Sequence, residues 1–328
     1  MRCVIGARRG VIFSIAAAVW ICPVASWAQS FPSKPVRYIV PFGAGGSPDI
    51  VGRLLADRLT RLWGQQVIVE NRVAVAGVLG TAFVAKSPPD GHTLVRCNIA
   101  SSGIAVSLYA KMPYDQLRDL APVTRIGMTP NILTVHPSVP IKSIKDFIAY
   151  AKAHPGELSY ASGLVGTSPH LSMEWFKLMA KIEVVNIPYK VGAQGITDTI
   201  GGQVPSGIFN LPAMVAPVQS GRLRGLAVTS AKRVSQLPSV PTMQEAGLPG
   251  YEVNSWYGVC APAGTPTPVL DKLYTDITAV LRMPEMKQRL DDLVVDATLT
   301  SREEFEQFIR AEIARWAQVI KDAGIPQQ

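Results

Sequence analysis

"VRYIVPFGAGGSPDIVGRLLADRL", residues 36–59, reads as a strand, a glycine turn and a helix in direct succession. Val36 to Val40 is a mainly apolar run of strand type. Gly43, Gly45 and Gly46 then break it. Ser47-Pro48-Asp49 has the chemistry of a helix start: serine suits a cap and proline suits the first helical position. Ile50, Val51, Leu54, Leu55, Leu59 and Leu62 follow at helical spacing, and Gly64 supplies the stop.

The alternation continues. Strands are expected near 67–70, 92–97, 132–135, 158–161, 183–187, 204–209, 224–228 and 254–260. Helices are expected near 80–87, 102–109, 143–154, 268–282, 284–291 and 302–323. This order predicts an α/β fold with parallel-rich sheets covered by helices on both faces. In such sheets, ligands bind beyond the carboxyl ends of the strands, where loops turn into helices.

The opening motif has a second copy. Gly45-Gly46-Ser47-Pro48-Asp49 and Gly166-Thr167-Ser168-Pro169-His170 share the form Gly-x-Ser-Pro, 121 residues apart. Each places a turn that glycine tolerates before the free N–H groups of a helix start, which carry partial positive charge. Such a start binds anions without a lysine. One in each half of the chain predicts two lobes facing a cleft, each offering N–H donors to one end of an elongated anion. GxxxxGK[ST], GxGxxG and GxSxG are all absent from these loops. Ser47 and Ser168 are read as capping serines with occupied oxygens, and His170 as a structural or ligand-facing hydrogen-bonder.

Length and composition set the frame. The chain has 328 residues, 48% hydrophobic, which suits two domains better than one. Its first 28 residues read as a secretory signal: Arg2, Arg8 and Arg9, an apolar stretch from Val11 to Cys22, then Ser26-Trp27-Ala28 at the cut. An uncleaved membrane anchor is the alternative. Loss of those three arginines lowers the formal charge from +8 to +5. That modest, scattered excess favours anionic small molecules over nucleic acid. Cys97 and Cys260 remain, in apolar strand-like contexts, and are expected as buried free thiols, although an oxidising compartment would permit a bond. His92, His136, His154 and His170 show no metal-ligand spacing, and no cofactor motif is present.

Several ordered motifs carry a family resemblance: "Val-Pro-Phe-Gly-Ala-Gly-Gly-Ser-Pro-Asp" (40–49), "Val-Glu-Asn-Arg" (69–72), "Pro-Asp-Gly-His-Thr-Leu" (89–94), "Ile-Pro-Tyr-Lys" (187–190), "Gly-Arg-Leu-Arg-Gly-Leu-Ala-Val-Thr-Ser" (221–230), "Leu-Pro-Ser-Val-Pro-Thr" (237–242) and "Ala-Pro-Ala-Gly-Thr-Pro" (261–266). The chain resembles the Bug family, the extracytoplasmic receptors of tripartite tricarboxylate transporters. The resemblance implies a two-domain periplasmic binding protein of type II-like α/β fold, with the ligand cleft between the lobes. It implies a monomer that captures a small carboxylate for a membrane transporter or a sensor. The domains would be 29–131 plus 255–328, and 132–254. Ligand-binding positions carried over are Phe42, Ala44, Gly45, Gly46, Ser47, Asp49, Ser101, Gly166, Thr167, Ser168, Tyr189, Phe209 and Asn210. An exported enzyme acting on small acids is the competing reading; it lacks a nucleophile–base pair.

Among the departures from the family pattern, at 73–77, Val191, Phe209 and Arg96, the last two bear most on the ligand. Phe209 stands where an acidic residue is common, which is read as favouring an apolar or aromatic ligand body. Arg96 stands where an apolar strand residue is usual; it could meet a ligand carboxylate, but a surface or interdomain salt bridge is the favoured expectation.

Overall fold

The structure is a computed structural model; the residues it describes are 31–44, 47–73 and 75–328, without the side chains at 47 and 75. The signal segment, Gly45 and Gly46 lie outside the described residues. Among those described, nine strands form one sheet: β1 (Val36–Val40), β2 (Val67–Asn71), β3 (Thr93–Asn98), β4 (Leu120–Val135), β5 (Ser159–Ser162), β6 (Val185–Pro188), β7 (Ser206–Asn210), β8 (Arg224–Val228) and β9 (Asn254–Pro262). The order is β2-β1-β3-β9-β4-β7-β5-β6, with β8 also on β4.

The long strand β4 organises the molecule. Residues 120–130 pair antiparallel with β9; residues 131–135 pair antiparallel with β7, and 132–135 with β8. Pro130, which has no N–H to give a ladder, sits where the partners change. Parallel pairs occur on each side: β2-β1-β3 in one half, β7-β5-β6 in the other. The sheet is therefore mixed rather than parallel-rich, because β4 and β9 run against their neighbours.

Helices cover both faces: α1 (Ser47–Trp63), α2 (Val78–Ala85), α3 (Ala105–Leu108), α4 (Ile144–Ala153), α5 (Ser168–Ala180), α6 (Gly192–Ile200), α7 (Val215–Gln219), α8 (Thr267–Leu281), α9 (Pro284–Asp292) and α10 (Arg302–Asp322). The period-two rule of strands divides the first half's core. Tyr38 and Val40 face a cluster with Val51, Leu55 and Leu59 of α1 and Leu273 and Ile277 of α8. Ile39, Val95 and Cys97 face the opposite cluster, with Phe305, Ile309 and Trp316 of α10. In the second half, Leu133 and Ile208 pack with Phe147 of α4 and Phe176 of α5.

α10 begins at a reciprocal cap, in which Ser301 and Glu304 each accept the other's backbone N–H. Its buried Glu312 accepts from the indoles of Trp256 (2.9 Å) and Trp316 (3.1 Å). Trp316 also meets Trp175 of α5 edge-on, at 6.4 Å between centroids. No helix among the described residues is long and apolar enough to cross a membrane.

The expectation of free thiols is overturned. Cys97 and Cys260 form a disulfide, with Cα atoms 5.9 Å apart. In the β3–β9 ladder Cys97 lies opposite Gly258, and Val95 opposite Cys260, so the cysteines are diagonal neighbours on one face. The loop they close spans 163 positions.

Candidate functional site

The second glycine loop behaves as a turn should. Gly166 has φ +85, the left-handed region that only glycine enters freely. Thr167 is the N-cap of α5; its own hydroxyl donates to Leu164 O (2.7 Å) instead of capping. Ser168 is thus the first helical residue rather than the cap, which corrects the sequence expectation. Its hydroxyl is free to turn elsewhere, and it meets the hydroxyl of Ser255 on β9.

A polar network grows from that contact. The Asn210 amide, at the end of β7, donates to Ser255 Oγ (2.7 Å) and to Asn131 Oδ1 (2.8 Å). Asn131, fully buried on β4, donates to Ser172 Oγ (2.8 Å). Ser168 and Ser172 are one helical turn apart and share a face of α5. Thr129 stands opposite Ser255 in the β4–β9 register, and its buried hydroxyl has no partner among the described residues. The network lies where β4 passes from one half of the sheet to the other. Hydroxyls and amides make it; no carboxylate, imidazole or amine takes part in these bonds.

Around the first glycine loop, Phe42 is half-buried and Ala44 exposed. Asp49 is buried, but its carboxylate accepts from Arg53 Nε (2.9 Å) and Asn71 Nδ2 (2.9 Å). The same Asn71 amide donates to Phe42 O (3.0 Å), so Asp49 and Asn71 tie the loop to α1 and β2. Ser101 is buried in a π-type turn, Ala100–Ile104, which overlaps the start of the helix expected at 102–109, and accepts from Asn98 Nδ2 (3.0 Å). The halves meet here: a Cβ on Gly166 would lie 2.8 Å from Leu108 of α3 and 3.8 Å from Ala76 Cβ.

Two nominated residues point away. Phe209 is in the core, and its ring lies against α6: a Cβ on Gly195 would come within 3.1 Å of it. Successive strand residues face opposite sides, so the chain that sends Asn210 into the polar network sends Phe209 into the apolar cluster. The reading of Phe209 as a cleft residue is corrected accordingly. The Tyr189 hydroxyl donates to Asp198 Oδ2 (2.8 Å), and its ring packs beside Gly195. Arg96 is likewise not on the surface: it is fully buried, and no ion pair is formed by it among the described residues.

His170 faces Glu174 and Lys177 on its own helix rather than the network. Burial, helped by Lys177 and opposed by Glu174, pushes its pKa below the ordinary 6.5. A depressed imidazole favours the unfolded chain in acid, because only the unfolded chain takes up the proton just below pH 6.5. Stability conferred by this group is therefore complete above about pH 6.5 and declines as the pH falls below it. We expect His170→Gln to flatten that decline, by no more than about 1.4 kcal/mol per pH unit. Urea titrations between pH 5 and 7.5 measure it; parallel slopes for the two proteins would contradict the assignment.

Among the described residues, no three of His, Cys, Asp and Glu gather into a metal-binding group. Residues 51–325 match the family described as the tripartite tricarboxylate transporter family receptor. The chain belongs to that family. It is 36% identical to BugT of Bordetella pertussis over 311 residues, covering 94% of this chain and 95% of BugT. It is also similar to a solved R. palustris protein with adipate, at 38% identity and TM-score 0.84, covering 90% of this chain and 99% of that one. MatC of Rhodopseudomonas palustris, solved with malate, gives 29% identity and TM-score 0.81, covering 88% of this chain and all of that one. The Bug-family resemblance and the two-lobe binding-protein fold are thus both established. Of this receptor's nominated residues, the structure brings Ser168 and Asn210 together. Asn131, Ser172 and Ser255 were not anticipated; the signal for the first was a polar side chain inside the apolar 131–135 strand.

Proposed function

We propose that this protein is an exported periplasmic receptor that captures a small dicarboxylate in the cleft between its lobes. It would deliver the acid to a tripartite transporter or to a sensor. The observation that carries the reading is the uncharged network of Ser168, Asn210, Asn131 and Ser255 at the junction of the halves, with α5 starting beside it. Donors of this kind hold a carboxylate while offering no base or nucleophile pair for turnover, as befits a receptor rather than an enzyme. The change of β4 partners near Pro130 supports lobes of 29–131 plus 255–328, and 132–254. Structures of relatives with adipate and malate support a diacid. With Phe209 in the core, the case for an aromatic ligand body loses its residue.

A thermal-shift screen over straight-chain, hydroxylated and aromatic diacids tests the reading. A true ligand at a hundred times its Kd stabilises by about 2.7 kcal/mol. No shift with any acid would defeat it. Asn210→Ala removes the amide that bonds to Ser255 and Asn131 and leaves those acceptors unmet, so affinity for the acid found is expected to fall at least about tenfold and the fold to lose about 1–3 kcal/mol as well. Unchanged calorimetric affinity would place the site elsewhere.

A further inference from the structure

We propose that Arg96 binds one carboxylate of the ligand at the carboxyl end of β3, beside the first turn of α1. The proposal rests on the receptor reading above and adds the residue that makes it charge-selective.

The placement comes from the β3–β9 register. The Arg96 backbone lies opposite Val259, whereas Tyr257 lies opposite Asn98. Yet the guanidinium carbon of Arg96 sits 3.8 Å from the centre of the Tyr257 ring. The side chain therefore climbs along β3 toward its carboxyl end. That is where the turn holding Ser101 begins. Asp49, in the first turn of the 17-residue helix α1, is close enough for its charge to act on Arg96.

Its chemistry is incomplete. Arg96 has 0% of its surface exposed, and none of its three nitrogens finds a partner in good hydrogen-bond geometry among the described residues, although the Tyr257 and Tyr38 hydroxyls and the Asp49 carboxylate lie close enough to act on it. The nearby Tyr38 hydroxyl is also unpartnered. Stacking on Tyr257 satisfies the face of the guanidinium but not its N–H groups, which lie in the plane. A buried cation with unmet donors is costly, and arginine cannot shed its proton to escape the cost. A carboxylate meets the requirement, because its two oxygens match the guanidinium fork. The start of α1 adds positive potential at the same place. The network on Asn131 and Asn210 carries no charge. The cleft would therefore have a cationic end in the first lobe and a neutral hydrogen-bonding end in the second.

Calorimetry with adipate, malate and their uncharged diamides tests this. Wild type is expected to prefer acid to diamide by at least about a hundredfold. Arg96→Gln should abolish that preference by losing far more affinity for the acid than for the diamide. Arg96→Lys keeps the charge but not the fork and should lose about tenfold for the acid. Ligand-free Arg96→Met should melt no lower than wild type, since an unmet buried charge is removed. Equal loss for acid and diamide, or a lower melting temperature of Arg96→Met, would show a merely structural arginine and overturn the proposal. Wild type that binds no acid would defeat the receptor reading and this one with it. Wild type that binds while Arg96→Gln keeps its preference would defeat this one alone.

Discussion

Gly258→Val is expected to cost the fold about 3 kcal/mol or more. Gly258 lies in β9 opposite Cys97, and a Cβ there would be 2.9 Å from the carbonyl oxygen of Thr124 and would run into the ring of Phe305. Neither neighbour can yield. Thr124 O belongs to the backbone of β4, and Phe305 is held edge-on by Trp256 (5.8 Å) and stacked by Phe308 (6.5 Å). Overpacking of a tight core costs about 1–3 kcal/mol and more where backbone must shift; two branches beyond the Cβ put this case at or above the upper end. Urea unfolding followed by tryptophan fluorescence reads the loss. Phe305→Ala in the same chain should restore part of it, because the two changes share one volume. Gly43→Ala, in open space, is the control and should be silent. A Gly258→Val protein with the wild-type midpoint would mean that this contact is wrong.

Reduction of the Cys97–Cys260 disulfide should be the next largest loss, about 2–4 kcal/mol. The bond closes a loop of 163 positions, so its removal returns much conformational freedom to the unfolded chain. Both cysteines are fully buried, so reductant should act only through unfolded molecules, and slowly under native conditions. Denaturant midpoints with and without reductant, alongside a Cys97→Ala/Cys260→Ala double variant, measure the effect. Equal midpoints in all three would show that the bond adds nothing.

How far the sequence could be read depended on how local the cause was. β1 and α1 were legible from 24 consecutive letters, because strand period and helix start both act within a few residues. α10 was found to within a residue, and its Ser301 cap emerged with the structure. The first twelve residues of β4 were missed: Pro122, Gly127 and Pro130 interrupt the strand pattern, and they sit at register shifts and at the change of partner. α6 was missed because Gly192-Ala193-Gln194-Gly195 has little helix propensity; packing against Tyr189 and Phe209 holds it. Within the site, the repeated Gly-x-Ser-Pro located α5 correctly, but Ser168 proved to be the first helical residue. Phe209 was assigned to the wrong side because a family position tells which residue is unusual, whereas the pleat decides where it points. The disulfide depended on pairing β3 with β9, which no local pattern encodes.

The place of β9 between β3 and β4 has a consequence for biogenesis. As the chain emerges from its amino end, β1, β2 and β3 can associate early, and β4 soon follows. The strand that must lie between β3 and β4 arrives only at residues 254–262, after the whole second half has been made. Until then the first half has an open seam, no disulfide and no α10 to cover it. Completion of the fold is therefore withheld until near the end of synthesis. For the exported receptor proposed above, such a delay would be an advantage: topology alone would keep the nascent first half loose until the late strand arrives to lock it.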